Sequence, residues 1–217
     1  MGQKVNPTGF RIGKFFPWQS RWFASDSKYK TYLIEDIKIR RALMEKLQLA
    51  GITRVEIERL PKSMVVTAMV SRPGVVIGRG GTGITDTKKF ILSIITKHRG
   101  ALAKDLKIDL RVQEIKDPEL SAQLVAMRIA GELERRIPHR RVVTKAMERV
   151  MQSRAKGVKV VLSGRIGGAD ISRTEKFHLG SIPAQTLREN IEYAQVPASL
   201  KRGYVGVKVY IHKEREN

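Results

Sequence analysis

The chain has 217 residues, long enough for two packed units with modest cores, and it carries 42 Lys and Arg against 21 Asp and Glu, a formal net charge of +21. An excess of that size repels itself in the compact state and calls for a polyanionic partner, nucleic acid before any other. With no cysteine in the sequence, disulfides, thiolate metal sites and cysteine nucleophiles are excluded together, and no apolar run approaches the roughly 18 residues of a membrane span. The amino terminus lacks the apolar region of a signal peptide, and no lipidation signal or basic amphipathic terminal helix accompanies the charge. The expectation is a soluble, intracellular protein with no membrane partner.

Residues 1–27 read as an irregular arm that is basic and aromatic at once. Lys4, Arg11, Lys14 and Arg21 alternate with Phe10, Phe15, Phe16, Trp18 and Trp22, a mixture suited to stacking on bases and pairing with phosphates. A local aromatic core for an arm without regular structure is the other reading of the same residues. From about Lys28 to Leu49, the residues Leu33, Ile37, Leu43 and Leu47 recur at helical spacing, and Gly51 is a natural stop. Strand-like runs follow at Ile52 to Leu60 and Met64 to Val70, around the turn Pro61-Lys62-Ser63. Pro73-Gly74 ends the second, Val75-Val76-Ile77 makes one short turn, and Ile84 to His98 resumes helical spacing through Phe90, Ile91, Ile94 and Ile95. Ile108 to Val112 reads as a third strand.

The glycines between these elements, Gly78-Arg79-Gly80-Gly81-Thr82-Gly83, satisfy two patterns. One is the dinucleotide-binding G-x-G-x-x-G; the other is the shorter Gly-x-x-Gly with which KH domains hold single-stranded RNA. A dinucleotide fold needs a buried parallel strand running straight into the glycines, whereas here Pro73-Gly74 cuts the strand off and repeating βαβ units are absent. The segment "VIGRGGTGI", Val76 to Ile84, resembles the KH signature, and a helix and hairpin before it with a strand after it resemble the type II arrangement. Gly78, Gly80 and Gly81 let backbone approach a sugar-phosphate chain, the following helix offers free N–H groups, and Arg79 adds a full charge.

In the second half, Asp117-Pro118 reads as a cap and first helical residue, with Leu120, Leu124, Met127 and Leu133 carrying a helix to about Ile137. A second helix from about Arg140 to Arg154 has an apolar stripe of Val143, Ala146, Met147, Val150 and Met151. Its other face is basic: Arg140, Arg141, Lys145, Arg149 and Arg154, diluted by Glu148. RNA is the expected partner of that face. Val158 to Leu162, Ser172 to Leu179 and Val205 to His212 read as strands of an antiparallel sheet carrying Lys159, Arg165, Arg173, Lys176 and Lys208. "RGYVGVKV", Arg202 to Val209, begins like the RNP1 stretch of an RRM but lacks its aromatic positions.

The catalytic search is empty. His98, His139, His178 and His212 are scattered without ligand spacing, no nucleophile motif occurs, and most carboxylates read as surface ion pairs. No catalytic residue, metal, cofactor or small-molecule substrate is expected.

Two further stretches, "MGQKVNPTGFRIG" and "AKGVKVVLSGRIGGADISRTE" (Ala155 to Glu175), resemble the terminal signatures of the family of the third protein of the bacterial-type small ribosomal subunit. With the KH signature they span nearly the whole chain. The resemblance implies a structural protein of the small-subunit head, located in the cytoplasm on the ribosome. It would bind small-subunit ribosomal RNA, neighbour other head proteins and line the channel through which messenger RNA enters. In that family, basic residues of the second-domain helix face the incoming message and assist its unwinding. Arg140 and Arg141 match the paired arginines of that site; where the family commonly has a lysine this sequence has Thr144, with Lys145 one residue on, turned by about 100° around the helix. An organelle-encoded origin is left open. A free KH regulator of messenger RNA is the alternative, and a dinucleotide enzyme stands third.

The architecture expected is α+β. The arm (1–27) leads into a type II KH domain (28–113) with a three-stranded sheet. A C-terminal domain (114–217) follows, with two helices packed on an antiparallel sheet.

Overall fold

The computed structural model describes residues 4–60, 62–99 and 106–214; Pro61 of the expected turn and the side chain of His98 lie outside the described residues. In chain order the elements are α1 (Pro7–Phe10), β1 (Ser20–Arg21), α2 (Asp26–Lys46), β2 (Ile52–Arg59), β3 (Ser63–Val70), α3 (Pro73–Ile77), α4 (Thr82–Arg99) and β4 (Lys107–Glu114). There follow α5 (Ala122–Glu134), α6 (His139–Gln152), β5 (Gly157–Gly164), β6 (Arg173–Gly180), β7 (Ile191–Leu200) and β8 (Gly203–His212). The chain is α+β and forms two compact units, one of Trp18–Lys116 and one of Met1–Pro17 with Asp117–Asn217. The sequence suggested a separate arm over 1–27. The structure divides that stretch at Pro17 and gives each part to a different unit.

In the unit of Trp18–Lys116, β2 and β3 pair antiparallel and β3 and β4 pair parallel from Ser63↔Lys107 to Val70↔Glu114. The two-residue β1 adds in parallel to β2, so the sheet has four strands in the order β1-β2-β3-β4, one more than expected. Ile39, Leu43, Ile57, Val66, Ile91 and Ile95 are fully buried between the sheet and helices α2 and α4. Gly51, in the left-handed conformation at φ 68°, stops the helical segment as its position in the sequence suggested.

One expectation for α2 is corrected. Leu33 and Ile37 are exposed at 40% and 50%, while the charged residues Glu35 and Asp36 are fully buried. Arg59, at the end of β2, makes this possible by donating from Nη1 to Glu35 (2.9 Å) and from Nε and Nη2 to Asp36 (2.9 and 2.5 Å). Ser20 Oγ and Trp22 Nε1 also donate to Asp36, at 2.9 and 2.8 Å, which ties the β1 region to α2. A buried carboxylate is tolerable only when paired and hydrogen-bonded. The two carboxylates are therefore not the surface pairs expected of this sequence.

In the other unit, α5 and α6 pack on one face of an antiparallel sheet ordered β6-β5-β8-β7. Val125, Ile129, Val143, Val150, Val160 and Val209 lie in its buried core. The first helix starts later than Asp117-Pro118 suggested: Pro118–Leu120 is a short 3-10 turn, Ser121 precedes α5, and α5 ends at Glu134 rather than near Ile137. Strand β7 was not anticipated. It is an edge strand, the position in a sheet where Pro197 is acceptable.

Arg11 belongs to this unit and is fully buried. Its guanidinium donates to four backbone carbonyls: Glu189 (2.7 Å), Pro7 (3.1 Å), Ala184 (3.1 Å) and Thr186 (2.9 Å). The hydrogen bonds join the start of the chain to the segment leading into β7.

Candidate nucleic-acid interface

The glycine loop follows α3 and leads through a 3-10 turn into the 18-residue α4, whose Ile91 and Ile95 anchor it in the core. Gly78, Gly80 and Gly81 have φ of 68°, 61° and 77°, a region side chains rarely adopt. Gly83 does a different job. A Cβ there would stand 2.4 Å from the Val76 carbonyl oxygen, so only glycine lets the end of α3 abut the start of α4. Arg79 at the tip is exposed and, among the described residues, has no ion-pair partner. The loop thus offers flexible-φ backbone, the amino terminus of a long helix and one unpaired cation, the elements a phosphate chain needs.

The four basic residues expected to act together in the arm separate. Arg11 is committed to the carbonyls described above, and burial pushes its pKa down while Glu189 pushes it back up. Arg21 is exposed but pairs with Glu58 at 3.1 Å and Glu56 at 3.4 Å. Lys4 and Lys14 stay exposed, the latter with Nζ 6.0 Å from the centre of the Phe15 ring. As a correction, then, Arg11 presents no charge to a partner, whereas Lys4 and Lys14 are exposed.

Helix α6 carries the densest group. Val142, Val143, Ala146, Met147 and Val150 are buried, which turns Arg140, Arg141, Thr144 and Lys145 outward, all exposed. Lys145 sits four residues after Arg141, on the same row of the helix, and Thr144 continues the row of Arg140. Among the described residues, none of these cations meets a carboxylate. The first turn has no acidic residue and Pro138 at the cap offers no side-chain bond, so Arg140 and Arg141 face the positive end of the helix dipole. His139 in the same turn is tied to Glu175 at 3.0 Å. Glu175 and His178, three residues apart in sequence, lie on opposite faces of β6.

Arg136 escaped the sequence reading, and Arg154 entered it only as part of the basic face of α6. Arg136 and Arg154 are the non-glycine residues of positive φ among the described residues, at 62° and 64°. Arg136 follows the last turn of α5, donating its N–H to Leu133 O while Ile137 N–H reaches Glu132 O, and Arg154 stands in the same place after α6. Glycine usually fills that position, and a side chain there costs about 1 kcal/mol. Both arginines are exposed, and they stand at the two ends of α6. The signal available in the sequence was a pair of helix ends without glycine.

A KH domain model matches residues 38–120, and the model described as ribosomal protein S3, C-terminal domain matches residues 129–211. The chain is 48% identical over 213 residues to the small ribosomal subunit protein uS3 of Caldicellulosiruptor saccharolyticus, covering 98% of this chain and 92% of that protein. The chain belongs to the uS3 family of small ribosomal subunit proteins. The uS3 proteins of Persephonella marina and Clostridium novyi are 46% and 42% identical, again over 98% of this chain and over 90% and 93% of their own lengths. The chain is accordingly a structural ribosomal protein and not an enzyme, with an RNA-binding KH domain in its first half.

Proposed function

We propose that the chain binds small-subunit ribosomal RNA in the subunit head, beside neighbouring head proteins, and lines the channel through which messenger RNA enters. On this reading it works in the cytoplasm on a bacterial ribosome. The α6 face carries the part of the reading that concerns the message. Arg140 and Arg141 stand unpaired at a helix end whose dipole opposes them, a placement that costs the fold about 0.3–1 kcal/mol per charge. Lys145 continues the row of Arg141, about 100° around the helix from Thr144, where the family lysine would stand. A polyanion reverses that cost, because its phosphates neutralise the cations and approach the uncapped N–H groups at the start of α6. The glycine loop, with Gly78, Arg79, Gly80 and Gly81, supplies a second hold on RNA, and Lys4 and Lys14 a third.

Unwinding then requires no nucleotide hydrolysis by this chain. The cations grip the incoming single strand, make refolding unfavourable, and leave the work to the translocating ribosome. Ribosomes carrying Arg140→Ala with Arg141→Ala should slow on messages with stable hairpins and keep their rate on unstructured messages. Equal slowing on both templates contradicts the mechanism. Adding Thr144→Lys in the parent background tests the displaced position: a faster passage through hairpins means Lys145 only partly replaces it.

A further inference from the structure

The open face of the carboxy-terminal sheet carries a second basic surface, and strand pairing settles which side chains share it. Lys159 of β5 lies opposite His178 of β6 and Tyr210 of β8, and Tyr210 opposite Tyr193 of β7. Two residues along, Val161 lies opposite Lys176 and Lys208, and Lys208 opposite Gln195. Alternate residues of a strand point to opposite faces. The intervening Val158, Val160, Leu162, Val207, Val209 and Ile211 are in the core with α5 and α6, so the two rows face away from the helices.

The carboxylates of the sheet sit on the helix side. Glu175 bonds to His139 of α6, and Glu192 accepts from Ser121 just before α5. Every strand position on the same face as Lys159 and its partners is free of Asp and Glu. Among the described residues, Lys159, Lys176 and Lys208 have no ion-pair partner. One end of the face is occupied by this unit's own chain start. There Ile191 and His212 are buried, α1 packs against β7, and Arg11 bonds to Glu189. Lys4 stands close enough that, after burial, its charge and that of Lys176 hold the Lys159 pKa below the ordinary lysine value. These ammonium groups thus stand near one another, and among the described residues none of them forms an ion pair, the carboxylate at this end, Glu189, being bonded to His212.

Beside them the rings of Tyr193 and Tyr210 stand 4.8 Å apart at a tilt of 47°, with Lys159 Nζ 5.8 Å from the centre of the Tyr210 ring. Cations that lack carboxylates, grouped around paired aromatics on an open sheet, are the combination by which sequence-tolerant proteins hold single strands. An RRM-like platform was rejected on the sequence of β8 alone. The second tyrosine comes from β7, which the sequence did not reveal.

We propose that this face binds single-stranded RNA, with Lys4, Lys159, Lys176 and Lys208 on the phosphates and the Tyr193–Tyr210 pair as a platform for a base. The site lies on elements other than α6 and the glycine loop, and shares with the function proposed above Lys4 and the class of ligand.

The test uses the full chain with Arg140→Ala, Arg141→Ala and Lys145→Ala already in place, so that the cations of the α6 face are removed, and a fluorescent oligouridine as probe. Adding Lys176→Ala and Lys208→Ala should weaken binding about tenfold and lower the slope of log affinity against log salt by about 1.4, for two phosphate contacts on a single strand. Tyr193→Leu, with the fold checked by circular dichroism, should weaken binding about tenfold without changing that slope. Unchanged affinity and slope in the lysine variant overturn the site. So does a lysine variant that loses binding to polyglutamate while keeping the RNA, since the face would then serve an acidic protein. Either failure leaves the hairpin experiment on Arg140 and Arg141 standing, because that experiment reads a different face.

Discussion

The sheet of the KH unit and helix α6 of the carboxy-terminal unit handle positive charge in opposite ways. In the first, Arg59 is buried against Glu35 and Asp36, Arg21 pairs with Glu56 and Glu58, and Lys88 reaches Asp109 at 3.3 Å. In the second, α6 turns Arg140, Arg141 and Lys145 to solvent without an ion-pair partner among the described residues, and Arg136 and Arg154 occupy backbone conformations that resist side chains. A net charge of +21 therefore does not mean a uniformly sticky surface. Cations with internal partners hold the fold together. Cations that cost the fold energy where they stand point to a partner outside it.

The comparison breaks first at Arg59. Replacing it with Met leaves two carboxylates buried without their cation, a loss of about 3–5 kcal/mol that a urea titration reads directly. A loss below about 1 kcal/mol would mean that the buried network is not what fixes α2 and β1.

Next in size is Gly83→Ala, where the new methyl meets the Val76 carbonyl; a loss of about 1–3 kcal/mol is expected, together with weaker RNA binding as the glycine loop shifts. In the carboxy-terminal unit the sign reverses. Arg136→Gly and Arg154→Gly should each stabilise the chain by about 1 kcal/mol, read as a rise in melting temperature, while RNA affinity falls. A melting temperature that drops instead would place these arginines among the structural cations. The smallest effect on stability belongs to Arg140→Ala or Arg141→Ala made singly, a gain of about 0.5 kcal/mol from relieving the dipole, against the large functional loss that the two together cause on hairpin messages.

Much of the fold was legible because its signals are local. Gly51, Pro73-Gly74 and the glycine cluster punctuate the KH unit where the structure turns, and the stripe of α6 buries the residues its period selects. What stayed hidden depends on distant partners. The buried face of α2 includes charges because Arg59, more than 20 residues away in sequence, neutralises them. Strand β7 breaks the apolar alternation with Glu192, Gln195 and Pro197, and an edge position excuses all three. Of the expected site residues, Arg140, Arg141 and Lys145 on α6 and Gly78, Arg79 and Gly80 of the glycine loop are exposed, while Gly81 is half-buried. Arg11 looked no different from Lys14 in sequence, yet its carbonyl partner at Glu189 lies 178 residues further on.

The most direct test of the central claim is to crosslink the chain to RNA in cells, fractionate the lysate on a gradient and sequence the attached RNA. The account requires the protein to sediment with the small subunit, with reads concentrated in small-subunit ribosomal RNA and in message about to enter the channel. Protein that stays in the light fractions on a few messages would contradict it and mark a free KH regulator instead.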